Sequence, residues 1–268
     1  MAHILETPWE YDIPPFRITD NIWYVGTSQV GSHLIDTGDG LVLLDTGWPN
    51  TLYLLLESIR QAGFDPADIR YILHSHYHID HIGGTSRMMK KYGCRSVLGR
   101  PDLLLTGERL DLSMCGGKRP YLWVTEFPIT DTVSEGDTLK VGNTTFEFRE
   151  FPGHTPGTLG IFFNTTWQGK PLRAGMHGGV GRNTLASAFI RQYGLDASVR
   201  ETYRKSLVKA AQEHVDVTLG NHPSQIFLLD RMKNAPEGVN PCIDETVWPA
   251  MLDRLMKAYR DMLEKDPM

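Results

Sequence analysis

His74-Ser75-His76-Tyr77-His78-Ile79-Asp80-His81 sets four imidazoles and one carboxylate in eight consecutive positions, directly after the apolar stretch Tyr71-Ile72-Leu73. Imidazole nitrogen and carboxylate oxygen are donors that zinc accepts in a tetrahedral shell. A short apolar run that stops at such a cluster reads as a strand delivering its donors on the loop at its end. Residues two apart on an extended loop project to one side, so His76 and His78 can grip one ion together. Asp80 shares that parity and the adjacent His81 points elsewhere, a pattern suited to two ions side by side. Histidines that merely cap a sheet by hydrogen bonding would not account for so many donors at once.

Outward from this run the chain falls into two halves of similar design. Ile22 to Gly26, Ser32 to Ile35 and Leu41 to Asp45 read as strands, with Thr37-Gly38-Asp39-Gly40 as a hairpin turn. Asn50 to Ala62 reads as a helix capped by Asn50, lined by Leu52, Leu55, Leu56 and Ile59, and stopped by Gly63. Arg70 to Leu73 is the strand before the histidine run, and Gly83-Gly84 opens a helix that ends at Gly93. In the second half, strands are expected over Thr138 to Val141, Thr145 to Phe151, Gly160 to Phe163, Pro171 to Ala174 and Val215 to Leu219. Helices are expected from about Ala197 to His214 and from Asp244 to Glu264. Pro101 to Pro128 is mixed in pattern and reads as a lid or pocket-forming segment. Strands arriving in clusters, each half closed by helices, predict one α/β sandwich over residues 1–268, sheets inside and helices outside. A doubly wound sheet would need strands and helices to alternate singly.

Composition narrows the partners. A net charge of -5 argues against a nucleic-acid surface. The basic runs Arg87 to Lys91 and Arg200 to Lys209 are interleaved with apolar residues and read as solvated helix faces. Cys94, Cys115 and Cys242 show no CxxC spacing, so a disulfide framework is not expected. No apolar run approaches the ~20 residues that span a bilayer. The stretch Met1 to Pro8 lacks a basic head and apolar core, which predicts a cytoplasmic chain. A periplasmic or secreted chain whose leader had been removed would read the same way.

Two more histidines sit in turns at strand ends. Phe151-Pro152-Gly153-His154-Thr155-Pro156-Gly157 holds His154 between two Pro/Gly pairs, and Leu219-Gly220-Asn221-His222-Pro223 sets His222 after a strand. Either alone would read as an ordinary loop residue; beside the main cluster both become candidate ligands.

With these residues in view, the chain resembles the metallo-β-lactamase superfamily, most closely the third subclass of class B β-lactamases. The resemblance rests on His76-x-His78-x-Asp80-His81 and on Pro152 to Gly157. It continues through Pro15 to Ile18, Asn21 to Thr27, Leu43 to Gly47 and Gly63 to Ile69. It implies an αββα sandwich with two mixed sheets inside. It also implies two zinc ions, the first on His76, His78 and His154 and the second on Asp80, His81 and His222. His81 directly after Asp80 departs from the first subclass, which has arginine there and a later cysteine ligand. Glyoxalase-II-like and lactonase members carry a bridging aspartate that Arg173 to Gly179 lacks. The implied activity is hydrolysis of a small molecule, water activated by zinc attacking the carbonyl of a β-lactam amide. The alternative is a lactone, thioester or other small ester on the same scaffold. Asp80 would orient the nucleophile and help move its proton.

Lesser expectations attach to a few residues. Asp45 is either a carboxylate that fixes a ligand loop or a simple turn residue. Gly178-Gly179-Val180-Gly181-Arg182 stands where the third subclass has serines. Its N–H groups or Arg182 would bind an anion, or the segment is a flexible loop without a ligand role. His33, His74 and His177 read as supporting rather than ligating. Trp123, Phe127 and Met114 read as pocket lining or, more simply, core.

Overall fold

The chain opens with a short helix, α1 (Ala2–Glu6), followed by strands β1 (Phe16–Arg17), β2 (Ile22–Tyr24), β3 (His33–Asp36) and β4 (Leu41–Leu44), which pair antiparallel in that order. These come from a computed structural model that describes residues 2–107, 109–114 and 126–268. Helix α2 (Leu52–Gln61) then carries the chain across so that β5 (Ile69–Leu73) lies parallel to β4. The helices α3 (Ile79–Ile82) and α4 (Thr85–Tyr92) precede β6 (Arg95–Gly99) and β7 (Asp131–Val133), which extend the same sheet in parallel. A second sheet is built from β8 (Thr138–Val141), β9 (Thr144–Glu150), β10 (Leu159–Trp167) and β11 (Lys170–His177), all antiparallel neighbours. After α5 (Ser187–Tyr193) and α6 (Val199–Ala210), β12 (Val217–Leu219) joins its edge parallel to β11. The chain closes with α7 (Leu228–Lys233) and α8 (Val247–Lys265).

Strand alternation sorts the apolar side chains between layers. Ile35, Val42, Leu44 and Leu73 belong to the same core as Phe146, Phe148, Ile161 and Phe163, so this layer lies between the two sheets. Their neighbours Leu34, Leu41, Leu43 and Ile72 pack instead with Leu52, Leu55, Ile59 and Met88 of α2 and α4. On the far side of the second sheet, Phe162 meets Trp248 of α8 edge-on at 5.7 Å between ring centroids. The result is the αββα sandwich with two mixed sheets. Each fully buried Phe or Leu contributes roughly 1.5–3 kcal/mol.

Several local expectations need correction. Helix α2 begins at Leu52 with Thr51 at its N-cap. Asn50 is not the cap; its amide donates to the carbonyls of Ile4 and Leu5, tying α1 to the body. Strands β10 and β11 run well past their expected ends as one long hairpin, turning at Gln168-Gly169 with both φ values positive. Strands β6 and β7 and helices α5 and α7 are too short or too weakly patterned to be read in advance. Arg200 is not a solvated basic residue. It is buried, donating to the Leu185 carbonyl and pairing with Asp266 at 2.9 Å. Cys94 and Cys242 are free and buried, while Cys115 lies outside the described residues. No helix among the described residues is long and apolar enough to cross a membrane.

The expected lid segment is described only in part. Arg100–Thr106 and Leu110–Met114 form 3-10 turns. Leu105 and Leu112 pack with Tyr77 and Phe127, making Phe127 a core residue. Trp123 and the side chain of Met114 lie outside the described residues.

Candidate metal centre

Both sheets end at one edge, and the loops leaving their strands converge there. Strand β5 stops at Leu73, and Ser75 to His78 cross the sheet end before the chain winds into α3. His78 is the N-cap of that turn, and the N–H groups of His81 and Ile82 donate to its carbonyl at 2.9 and 3.1 Å. Winding here overturns the parity argument. Asp80 lies beyond the extended stretch, so it groups with His81 rather than with His76 and His78.

Six side chains gather in two trios. In each trio, His76, His78, His154 and Asp80, His81, His222, every residue offers one donor atom and all lie within 4.8 Å of one another. His76 Nε2 and His78 Nδ1 stand 3.0 Å apart. In the second trio Asp80 Oδ2 lies 3.5 Å from His81 Nε2 and 3.6 Å from His222 Nε2. The His76 and His81 rings, one from each trio, are 4.3 Å apart between centroids. A third trio, His214, Asp216 and Glu245, is a half-solvated surface cluster remote from this edge.

The outward ring nitrogens are held by the protein. Asp45 Oδ2 accepts from His81 Nδ1 at 2.8 Å, and the Gln29 carbonyl accepts from His222 Nδ1 at 2.9 Å. The Gly181 carbonyl accepts from His154 Nδ1 at 2.9 Å, and Ser75 Oγ lies 3.0 Å from His76 Nδ1. Each such contact fixes a ring so that Nε2 faces inward, the arrangement that orients histidine toward a cation. Electrostatics agree. Burial, then neighbouring imidazoles, drives His76 and His78 well below the usual histidine value. Burial also lowers His154, to about 4. For Asp80, burial pushes upward but the His81, His222 and His78 rings outweigh it, and the carboxyl is lowered. Burial lowers His222 as well; for His81 burial pulls downward but the Asp80 and Asp45 carboxylates outweigh it, and the ring is raised until a cation replaces its proton. Inward imidazole nitrogens beside an ionised carboxylate are a donor set that fits divalent metal.

Asp45 resolves in favour of loop fixation. Its backbone takes the left-handed conformation, φ 59°. From there its carboxylate accepts from Ser75 N, Ser75 Oγ and His81 Nδ1 at 2.6–2.8 Å. The glycine run after β11 has its own function. A Cβ on Gly179 or Gly181 would come within 2.7 Å of the His154 ring, so these glycines let the backbone close around it. Arg182 acts electrostatically on Tyr203 and Asp261, on α6 and α8. The sequence alone assigns no role to Ser75, Gln29 or Asp102. Ser75 sits within the histidine run, but nothing about Gln29 or Asp102 distinguishes them from surface residues.

The supporting histidines stay outside both trios. His33 and His74 are buried with neither ring nitrogen bonded among the described residues, and His177 stacks on Phe151 at 4.8 Å. Burial holds His33 down at about 4 against the upward pull of Asp45. An unfolded imidazole titrates near 6.5. The folded value is the lower one, so the stability gained by keeping His33 neutral is complete above about pH 6.5 and lost as pH falls toward 4. In metal-free protein, His33→Phe should remove on the order of 3 kcal/mol of that acid-induced loss. Urea titrations at the two pH values measure it, and equal losses in both proteins would reject the assignment.

Beside His78 and His154 opens a cavity of about 300 Å³ whose apolar wall includes Leu105, Leu112, Phe189, Leu195 and Val199. No lysine or arginine lines it among the described residues.

Comparison with known proteins agrees with this architecture. BJP-1, a subclass B3 metallo-beta-lactamase of Bradyrhizobium japonicum, superposes with a TM-score of 0.85 over 98% of this chain and 97% of its own, at 27% identity. The native FEZ-1 metallo-beta-lactamase from Legionella gormanii superposes with a TM-score of 0.85 over 95% and 97% at 24% identity, a likeness of fold. By sequence, an N-acyl homoserine lactonase from a Bacillus species is 23% identical over 167 residues, 53% of this chain. That match spans 61% of the lactonase's length. The family model described as the metallo-beta-lactamase superfamily matches residues 25–165. The fold, the converging loops and that match together make this chain a member of the metallo-β-lactamase superfamily.

Proposed function

We propose that residues 1–268 form a single-domain di-zinc hydrolase that opens the amide of a β-lactam ring. The observation that carries this reading is the pair of trios, His76, His78, His154 and Asp80, His81, His222, with the outward nitrogens of four rings tied to the protein. Zinc bound there would supply Lewis acidity, bringing the pKa of water toward 7 and polarising a carbonyl. The chain does the rest. His76, His78 and His154 would hold one ion; Asp80, His81 and His222 would hold the other. Asp80, its carboxyl lowered by the His81, His222 and His78 rings, would orient the attacking water and carry its proton toward the departing nitrogen. Asp45, Gln29 and Gly181 hold His81, His222 and His154 in place, so little rearrangement is needed during the reaction. The likeness to BJP-1 supports a β-lactam as substrate.

One observation favours a second reading, hydrolysis of a lactone, thioester or other small ester. The described wall of the cavity beside the first trio is mostly apolar and suits an acyl group. Zinc-loaded protein should be assayed on a chromogenic cephalosporin, a carbapenem, an acyl-homoserine lactone and a glutathione thioester. Cephalosporin or carbapenem turnover abolished by chelator and restored by zinc supports the first reading. Turnover of the lactone or thioester alone transfers the assignment to the second. A folded, zinc-loaded protein inert on all four would mark a binding protein instead.

A further inference from the structure

Asp102 is fully buried in the turn Arg100–Thr106 and has no cationic partner among the described residues. Its carboxylate instead accepts three hydrogen bonds. Oδ2 takes the Tyr77 N–H at 2.9 Å and the Thr155 hydroxyl at 2.9 Å, and Oδ1 takes the Gly157 N–H at 2.6 Å. Tyr77 lies between His76 and His78, and Thr155 follows His154. Every histidine of the first trio is therefore one residue from a donor to this carboxylate, and a single oxygen, Oδ2, bridges the two loops. Gly157 is shaped for the contact, since a Cβ there would lie 2.9 Å from the Asp102 carboxyl carbon. All three bonds go to the loops that carry the first trio.

Burial pushes the Asp102 carboxyl up, to about 6, against the three hydrogen bonds that favour its ionised form, so the site accepts a desolvation cost in order to hold these donors. We propose that Asp102 is a positioning residue that sets the spacing of His76, His78 and His154, and with it the metal affinity of the first trio alone. The same turn carries Leu105, a wall of the apolar cavity, so Asp102 also ties that wall to the metal loops. The inference rests on the two-metal reading, and its test keeps the two separable.

The decisive substitution is Asp102→Asn. It preserves shape, but whichever way the amide is turned its NH₂ faces either the Gly157 or the Tyr77 N–H, two donors opposed. Zinc affinity would be measured on the full chain by competition with a chromophoric chelator, in two backgrounds. His222→Ala isolates the first trio and His154→Ala isolates the second. Asp102→Asn should weaken the first trio about 10–100-fold and leave the second within experimental error. Cobalt substitution gives an independent readout, because the visible bands of the first trio should change shape and intensity in the variant. Thr155→Val removes one of the three bonds and should weaken the same trio by less; it decides the question if Asp102→Asn does not fold. Equal weakening of both trios, or no change in the first, would overturn the proposal. Unsubstituted protein that binds no zinc would instead overturn the metal reading.

Discussion

Replacing His78 or His154 with alanine is expected to abolish metal binding by the first trio and to cut turnover about a thousandfold or more. The estimate takes several kcal/mol of Lewis-acid stabilisation at about 1.4 kcal/mol per tenfold in rate. Two remaining imidazoles make an incomplete shell, and no other carboxylate or thiol among the described residues joins that trio. The fold should survive, because the loops are also held by Asp102 and by the Gly153 N–H donating to the Thr155 carbonyl at 3.0 Å. Elemental analysis after gel filtration reads the result directly: one equivalent of metal in the variants against two in the parent. Two retained equivalents would sink the ligand assignment.

The second large effect lies at Asp45, which touches the second trio directly and the first through Ser75. Its carboxylate holds His81 and, through Ser75 Oγ, reaches His76 Nδ1. Asp45→Ala strands three buried donors and places a Cβ-bearing residue without a polar side chain at φ 59°. Hydrogen bonds to a charged acceptor contribute about 1.5–3 kcal/mol each, so the loss of stability should be on the order of 5 kcal/mol. Urea denaturation of the metal-free protein measures it. Asp45→Asn tolerates the left-handed backbone and keeps the volume, separating folding from metal binding. The variant should be folded yet bind metal about 10–100-fold more weakly at both trios. That pattern contrasts with the one-sided loss expected for Asp102→Asn. Unchanged affinity in folded Asp45→Asn protein would show that the carboxylate is a turn residue only.

The apolar pattern of β2 to β5 and the glycines that end α2 and α4 made the first half of the sandwich readable. Period-2 alternation and a left-handed stop such as Gly93, φ 73°, are local properties of the chain. Strands β6 and β7 are not legible in the sequence because their stability comes from parallel pairing with β5 and with each other. Such pairing leaves little trace in a five-residue or three-residue window. Asn50 departs from the capping role its position suggests for a similar reason. An asparagine before a helix is a good cap by propensity, but the carbonyls of Ile4 and Leu5, distant in sequence, engaged its amide instead.

The kinds of metal donor were plain in the residues themselves, since few other uses call for four imidazoles and a carboxylate in eight positions. Their partition into trios depended on folding. A turn of helix beginning at His78 moved Asp80 out of the extended register, and loops some seventy and one hundred and forty positions downstream supplied His154 and His222. The residues that aim those donors, Asp45, Ser75, Gln29, Gly181 and Asp102, have chemistry too ordinary to be noticed in a linear chain. A carboxylate or carbonyl gains its meaning from the one donor it faces across space, and that pairing exists only once both sheets have packed and brought their strand ends to a common edge.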